Sequence, residues 1–147
     1  MTTLSFDGFT ITLPDGWASV LEDATYSDPD QIPPCVFAGP AGVGALYVST
    51  PLFDPEDQPG ASPGDAEALA RGWGIERGQA APITCASAAS PRGGFASATF
   101  KLADDSVDVF FITNCRAVLQ ASYVCPWAQR GVERETVEAI IASLRFT

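Results

Sequence analysis

The stretch that most constrains this fold is the run from Val107 to Leu144. Val107-Asp-Val-Phe-Phe-Ile-Thr113 is dominated by β-branched and aromatic residues and reads as a buried strand. Ala117-Val-Leu-Gln-Ala-Ser-Tyr-Val124 reads as its hairpin partner, joined through the polar turn Asn114-Cys-Arg116. After Cys125-Pro-Trp127, a helix is predicted from about Val132 to Leu144. Val137, Ile140, Ile141 and Leu144 form its buried stripe, with Glu133, Glu135 and Glu138 expected to face water. Two apolar strands and one amphipathic helix make a core-forming unit.

The preceding chain offers further strands. Leu4-Ser-Phe6, Asp7-Gly8 and Phe9-Thr-Ile-Thr-Leu13 predict a hairpin around a preferred two-residue turn. Pro14-Asp-Gly-Trp17 turns the chain again, with Trp17 expected to pack over the sheet edge. Val20-Leu21 starts a short strand, followed by an acidic loop. Cys35-Val-Phe-Ala38 and Gly44-Ala-Leu-Tyr-Val-Ser49 form an antiparallel pair across the turn at 39–43. That turn lacks the Lys-Ser/Thr and helix start of a phosphate-binding loop.

A proline-rich connection from Pro51 to Ser62 leads to a helix capped by Ser62. Ala66, Leu69, Ala70 and Trp73 share its apolar face, Glu67 and Arg71 pair at i, i+4, and Gly72, Gly74 and Gly78 limit its length. Strands over Ala80–Ala89 and Gly94–Leu102 flank the turn Ser90-Pro-Arg-Gly-Gly94, and Ala103-Asp-Asp-Ser106 turns into the strand at 107. No repeat or linker divides the 147 residues, so one domain spanning 1–147 is expected.

Charge narrows the partners. Eighteen acidic residues against eight basic ones give a net charge of −10. Such a surface repels nucleic acid and anionic lipid, and it attracts a basic protein. No apolar run approaches the roughly 20 residues that span a bilayer. The N-terminus lacks the basic and apolar regions of a signal peptide; either the chain is cytoplasmic or a leader has been replaced, and the first is the expectation.

The residue inventory also limits the chemistry. With no histidine, Ser-His-Asp and Cys-His nucleophile systems are excluded. Cys35, Cys85, Cys115 and Cys125 form no Cys-x-x-Cys pair and are expected as buried free thiols, a disulfide requiring an oxidising compartment. Asp28-Pro-Asp30 and Asp104-Asp105 lack the spacing of a calcium loop. No catalytic residue, cofactor site or metal site is assigned.

Phe9-Thr-Ile-Thr-Leu-Pro-Asp-Gly-Trp17, Gly44-Ala-Leu-Tyr-Val-Ser49 and Ile140-Ile-Ala-Ser-Leu-Arg-Phe146 together resemble the Mog1/PsbP-like and DcrB-like α/β proteins. In that family a Leu-Pro-x-Gly-Trp turn follows the first hairpin, and a last helix ends in a Ser-Leu/Phe-x-Phe tail. The resemblance implies an α+β fold: an antiparallel sheet flanked by helices, an α/β/α sandwich. It also implies protein binding rather than catalysis, because the best-known members bind a small GTPase or photosystem subunits. Small acidic bacterial members resemble immunity proteins for secreted or contact-delivered toxins, including those of type VI secretion, and Eag-type chaperones for secreted effectors.

The resulting expectation is a non-enzymatic immunity protein that neutralises a cognate bacterial toxin with a basic surface. The candidate contacts are Glu22, Asp23, Asp28, Asp30, Asp54, Glu56, Asp57, Asp104 and Asp105, with Tyr26 and Phe53 as apolar anchors. The alternative is a chaperone shielding an apolar effector segment, which requires a hydrophobic groove. A lipid or small-molecule binder would require a deep apolar pocket.

Overall fold

The computed structural model describes residues 1–6, 8–19, 35–49, 66–76, 82–90, 93–113 and 118–146. In chain order the elements are β1 (Thr2–Phe6), β2 (Phe9–Leu13), β3 (Ala18–Ser19), β4 (Cys35–Ala38), β5 (Ala45–Val48), α1 (Ala66–Glu76), β6 (Thr84–Ser90), β7 (Gly93–Leu102), β8 (Asp105–Thr113), β9 (Val118–Pro126), a single 3-10 turn (Trp127–Gln129), α2 (Arg134–Ala142) and β10 (Arg145–Phe146). Every strand pairing among them is antiparallel. One sheet has the order β3-β4-β5-β9-β8-β7-β6, and a smaller one has β1-β2-β10.

The apolar run at 107–113 belongs to a strand buried on both faces, which is why it lacks strict alternation. Val107, Val109 and Phe111 point to one side, where they meet Ala96, Ala98 and Phe100 of β7 and the buried face of α1. Phe110 points to the other side, with Leu119, Ala121 and Tyr123 of β9. There it packs with Val137, Ile140, Ile141 and Leu144, the expected stripe, and with Phe9, Ile11 and Leu13 of β2. Phe9, Phe37 and Phe100 are essentially fully buried, each contributing roughly 1.5–3 kcal/mol of transfer free energy.

Helix α1 lies on β7 through Ala66, Ala70 and Trp73, whose ring centre is 5.4 Å from that of Phe100. Its outer face carries the expected Glu67–Arg71 pair at 3.1 Å. Glycine does not end this helix at 72 or 74. Gly74 is buried mid-helix because its Cα sits against the Phe100 ring. The predicted N-cap at Ser62 and the residues at 63–65 lie outside the described residues.

Helix α2 is shorter than expected, because the chain spends 127–133 in a 3-10 turn and an open turn. Its C-terminal end is tied to the small sheet. Ser143 Oγ donates to Ile140 O at 2.5 Å and accepts from Thr12 N at 2.9 Å. The tail then returns as β10, pairing Phe146 with Phe9, which turns the Ser-Leu-Arg-Phe tail into a third strand.

Several boundaries differ from expectation. β6 starts at Thr84, and β6 and β7 extend to Ser90 and Gly93, which pair with each other inside the stretch predicted as a turn at 90–94. Asp105 is the first residue of β8, opposite Leu102 and Pro126, and leaves Ala103-Asp104 as the turn. Ala103 takes a left-handed φ of 55°, a conformation costing a non-glycine residue about 1 kcal/mol. A short strand lies at Ala18-Ser19, and the strand start expected at Val20-Leu21 falls within residues 20–34, outside the described residues.

Candidate functional site

The chemistry of the described residues gathers where the start of α2 meets β7, β8 and β9. Register explains the gathering. Thr99, Asp108 and Tyr123 stand opposite one another across three strands, in the row beside Lys101, Ser106 and Cys125. All project from the face that carries α2, so Glu133 and Arg134 at the helix start come down beside them.

Glu133 is the main correction to the sequence reading. Expected in water, it is only 7% exposed. Tyr123 Oη donates to Glu133 Oε1 at 2.6 Å, and Gly44 N donates to the same oxygen at 3.2 Å. Position 133 stands four residues before Val137 and seven before Ile140, in line with the buried stripe, and the β9 hydroxyl beneath draws the carboxylate in. Burial, and then the Glu133 carboxylate, push the Tyr123 hydroxyl far above its ordinary pKa. Gly44 has to be glycine here, since a Cβ would lie 2.7 Å from Tyr123 Oη and 2.5 Å from Val124 O.

That arrangement predicts an alkaline titration. A raised folded-state pKa means that the contribution of Tyr123 is complete below the unfolded value of about 10 and is lost as pH rises above it. The absorbance at 295 nm of wild type minus Tyr123→Phe should stay flat at pH 11 while the chain is folded. A tyrosinate step near pH 10 in that difference would disprove the assignment.

Asp108 forms the neighbouring group. Thr99 Oγ1 donates to its Oδ1 at 2.5 Å, and an Arg134 guanidinium nitrogen stands 3.8 Å from the same oxygen. Ser106 Oγ is buried with no hydrogen-bond partner among the described residues. Cys125 is buried, and desolvation followed by the nearby Asp108 charge raises its thiol pKa, which keeps it a poor nucleophile. Cys35, Cys85 and Cys125 are free thiols; Cys115 lies outside the described residues. No group of three or more His, Cys, Asp or Glu side chains suited to a metal ion occurs among the described residues.

Of the candidate contacts, Glu22, Asp23, Tyr26, Asp28, Asp30, Phe53, Asp54, Glu56 and Asp57 lie outside the described residues. Asp104 and Asp105 are exposed at the β7–β8 hairpin tip, which Trp127 N fastens by donating to Asp104 O at 2.8 Å. Behind that tip, the Trp127 ring carries Arg130 at 4.0 Å and Lys101 at 5.2 Å. Sequence reasoning alone misses Glu133, Tyr123 and Asp108. Two of them carry a signal: an acid inside an apolar strand, and a tyrosine in step with Leu119 and Ala121, whose hydroxyl needs a buried partner.

No protein-family model matches the chain, and no curated protein does. Solved structures do. Cyanobacterial PsbP (CyanoP) from Synechocystis sp. PCC 6803 aligns over 99% of this chain and 92% of its own, with 14% identity and a TM-score of 0.65. A protein from Bacteroides thetaiotaomicron VPI-5482 aligns over 95% of this chain, with 13% identity and a TM-score of 0.58; the chain spans 45% of that protein's length. No helix among the described residues is long and apolar enough to cross a membrane. With that overlap with CyanoP, the large antiparallel sheet and the two helices among the described residues have the α+β fold of the PsbP/Mog1-like proteins.

Proposed function

We propose that this chain is a non-enzymatic protein-binding protein of the immunity type, which binds a cognate bacterial toxin with a basic surface and neutralises it in the cytoplasm. The observation that carries the reading is the net charge of −10 on a chain without histidine. Acidic surfaces speed encounter with basic partners and discourage acidic ones. Asp104 and Asp105 stand exposed on a hairpin tip tied down by Trp127, so they meet a partner at little cost in ordering. The acids at 22, 23, 28, 30, 54, 56 and 57, with Tyr26 and Phe53, supply the remaining contacts.

A chaperone for an apolar segment finds less support. The exposed large apolar side chains among the described residues are four, Met1, Ile75, Ile83 and Val132, each from a different segment of the chain. Catalysis finds less as well, since Glu133 is engaged by Tyr123 and Gly44.

Co-purification with the product of an adjacent toxin-like gene tests the reading, and the association rate should fall as salt is added. A deletion strain should be inhibited beside toxin-delivering siblings; normal growth there overturns the proposal.

A further inference from the structure

A cleft of about 230 Å3 opens between α2 and the outer strands β6, β7 and β8. Its existence follows from register. Ala86, Ser97 and Phe110 share one row across the strands, and Thr99 and Asp108 share the next. The small side chains at 86, 97 and 99 leave space that larger ones would fill. The volume is below the roughly 300–1,000 Å3 of sites for drug-sized ligands, which suits a single side chain better than a cofactor.

The lining defines what would enter. Asp108 is 17% exposed, and its Oδ2 accepts no hydrogen bond from a described residue. Glu138, exposed on the next turn of α2 from Arg134, has no hydrogen-bond or ion-pair partner among the described residues. Two carboxylates against the one guanidinium of Arg134 leave the cleft negative, within a chain of charge −10. Val137 and Phe110 add apolar walls. A cationic head on an aliphatic stem fits this lining. A planar fork of donors suits carboxylate acceptors better than the point charge of an ammonium group.

We propose that this cleft receives an arginine side chain presented by a protein partner. The inference rests on the protein-binding reading above and adds a pocket and a residue type to it.

The test is a chemical-shift titration of the full chain with N-acetyl-arginine methylamide, alongside its lysine and citrulline counterparts. Arginine should give saturable shifts at the amides of Ser97, Thr99, Asp108 and Glu138. Lysine should bind about tenfold more weakly and citrulline not at all. Glu138→Gln should weaken the arginine response, and Ala86→Trp, which fills the cleft from an exposed position, should abolish it while the spectrum stays folded. Shifts scattered over the acidic surface, equal responses to arginine and lysine, or an Ala86→Trp protein that still responds would each overturn the proposal. No toxin is needed, so the outcomes separate. Specific arginine shifts without protection in the sibling assay leave the pocket standing and remove the immunity reading. Protection with a silent titration does the reverse.

Discussion

Glu133→Ala is expected to destabilise the fold by about 3 kcal/mol, because it orphans the buried Tyr123 hydroxyl and the part-buried Gly44 amide, and an unsatisfied buried donor costs roughly 1–3 kcal/mol. The Tyr123 hydroxyl and the Gly44 amide both turn to Glu133 Oε1, and the Tyr123 side chain has almost no access to water that would replace it. For a chain of this size the thermal midpoint should fall by about 6–12 °C. Glu133→Gln keeps a carbonyl acceptor in place and should cost only about 1 kcal/mol. Glu135→Ala, close by on the same helix but exposed, should stay within about 0.5 kcal/mol of wild type. Urea denaturation of the three variants decides the matter. If Glu133→Ala unfolds at the same midpoint as Glu135→Ala, the buried contact contributes nothing. Tyr123→Phe should couple to Glu133→Gln, the double variant losing less than the two singles added together.

The two glycines of α1 should respond in opposite directions. Alanine is favoured over glycine in a helix interior by about 1 kcal/mol. At Gly72 nothing described lies within 4 Å of the place a methyl would take, so Gly72→Ala should gain most of that amount. At Gly74 the same methyl would overlap Phe100 Cε1 and sit 2.5 Å from its Cζ. Phe100 is 1% exposed, packed against Trp73, and has nowhere to swing. Overpacking of this kind costs about 1–3 kcal/mol, enough to outweigh the gain in propensity, and Gly74→Ala should lose about 2 kcal/mol net. Gly74→Val adds a second branch against the same ring and should lose more. A Gly74→Ala protein as stable as Gly72→Ala would show that α1 does not press on β7 at this point.

These contrasts mark where sequence reasoning stops. Gly72 and Gly74 are equivalent in the sequence, where each reads as a limit to the helix. Periodicity locates the apolar face through Ala66, Ala70 and Trp73, yet it carries no information on how near a neighbouring element approaches. The short range of packing forces explains this, since a few tenths of an ångström separate a contact from a clash. Glu133 is misplaced by its residue type, although the helical period puts position 133 in line with Val137 and Ile140. Glutamate is ordinarily solvated, and only a donor brought from β9 and another from the turn before β5 make a buried position favourable. Ten positions separate Glu133 from Tyr123 in the chain, and 89 separate it from Gly44.

By itself the sequence determined the local elements: the first hairpin, the antiparallel pair read at 35–38 and 44–49, the strands read at 94–102, 107–113 and 117–124, and the stripe Val137, Ile140, Ile141 and Leu144, all within a few residues of the observed bounds. It did so because hydrophobic period and turn chemistry act over a few residues. The strand that opens the organising run at 107–144 was read as buried, and the structure buries it on both faces. Only the tertiary structure decided which side chains meet across that sheet. The row Thr99, Asp108 and Tyr123, the buried Glu133 above it and the cleft beside Ala86 depend on strand register and on where α2 lands. Those are set by the packing of distant segments, which no local pattern encodes.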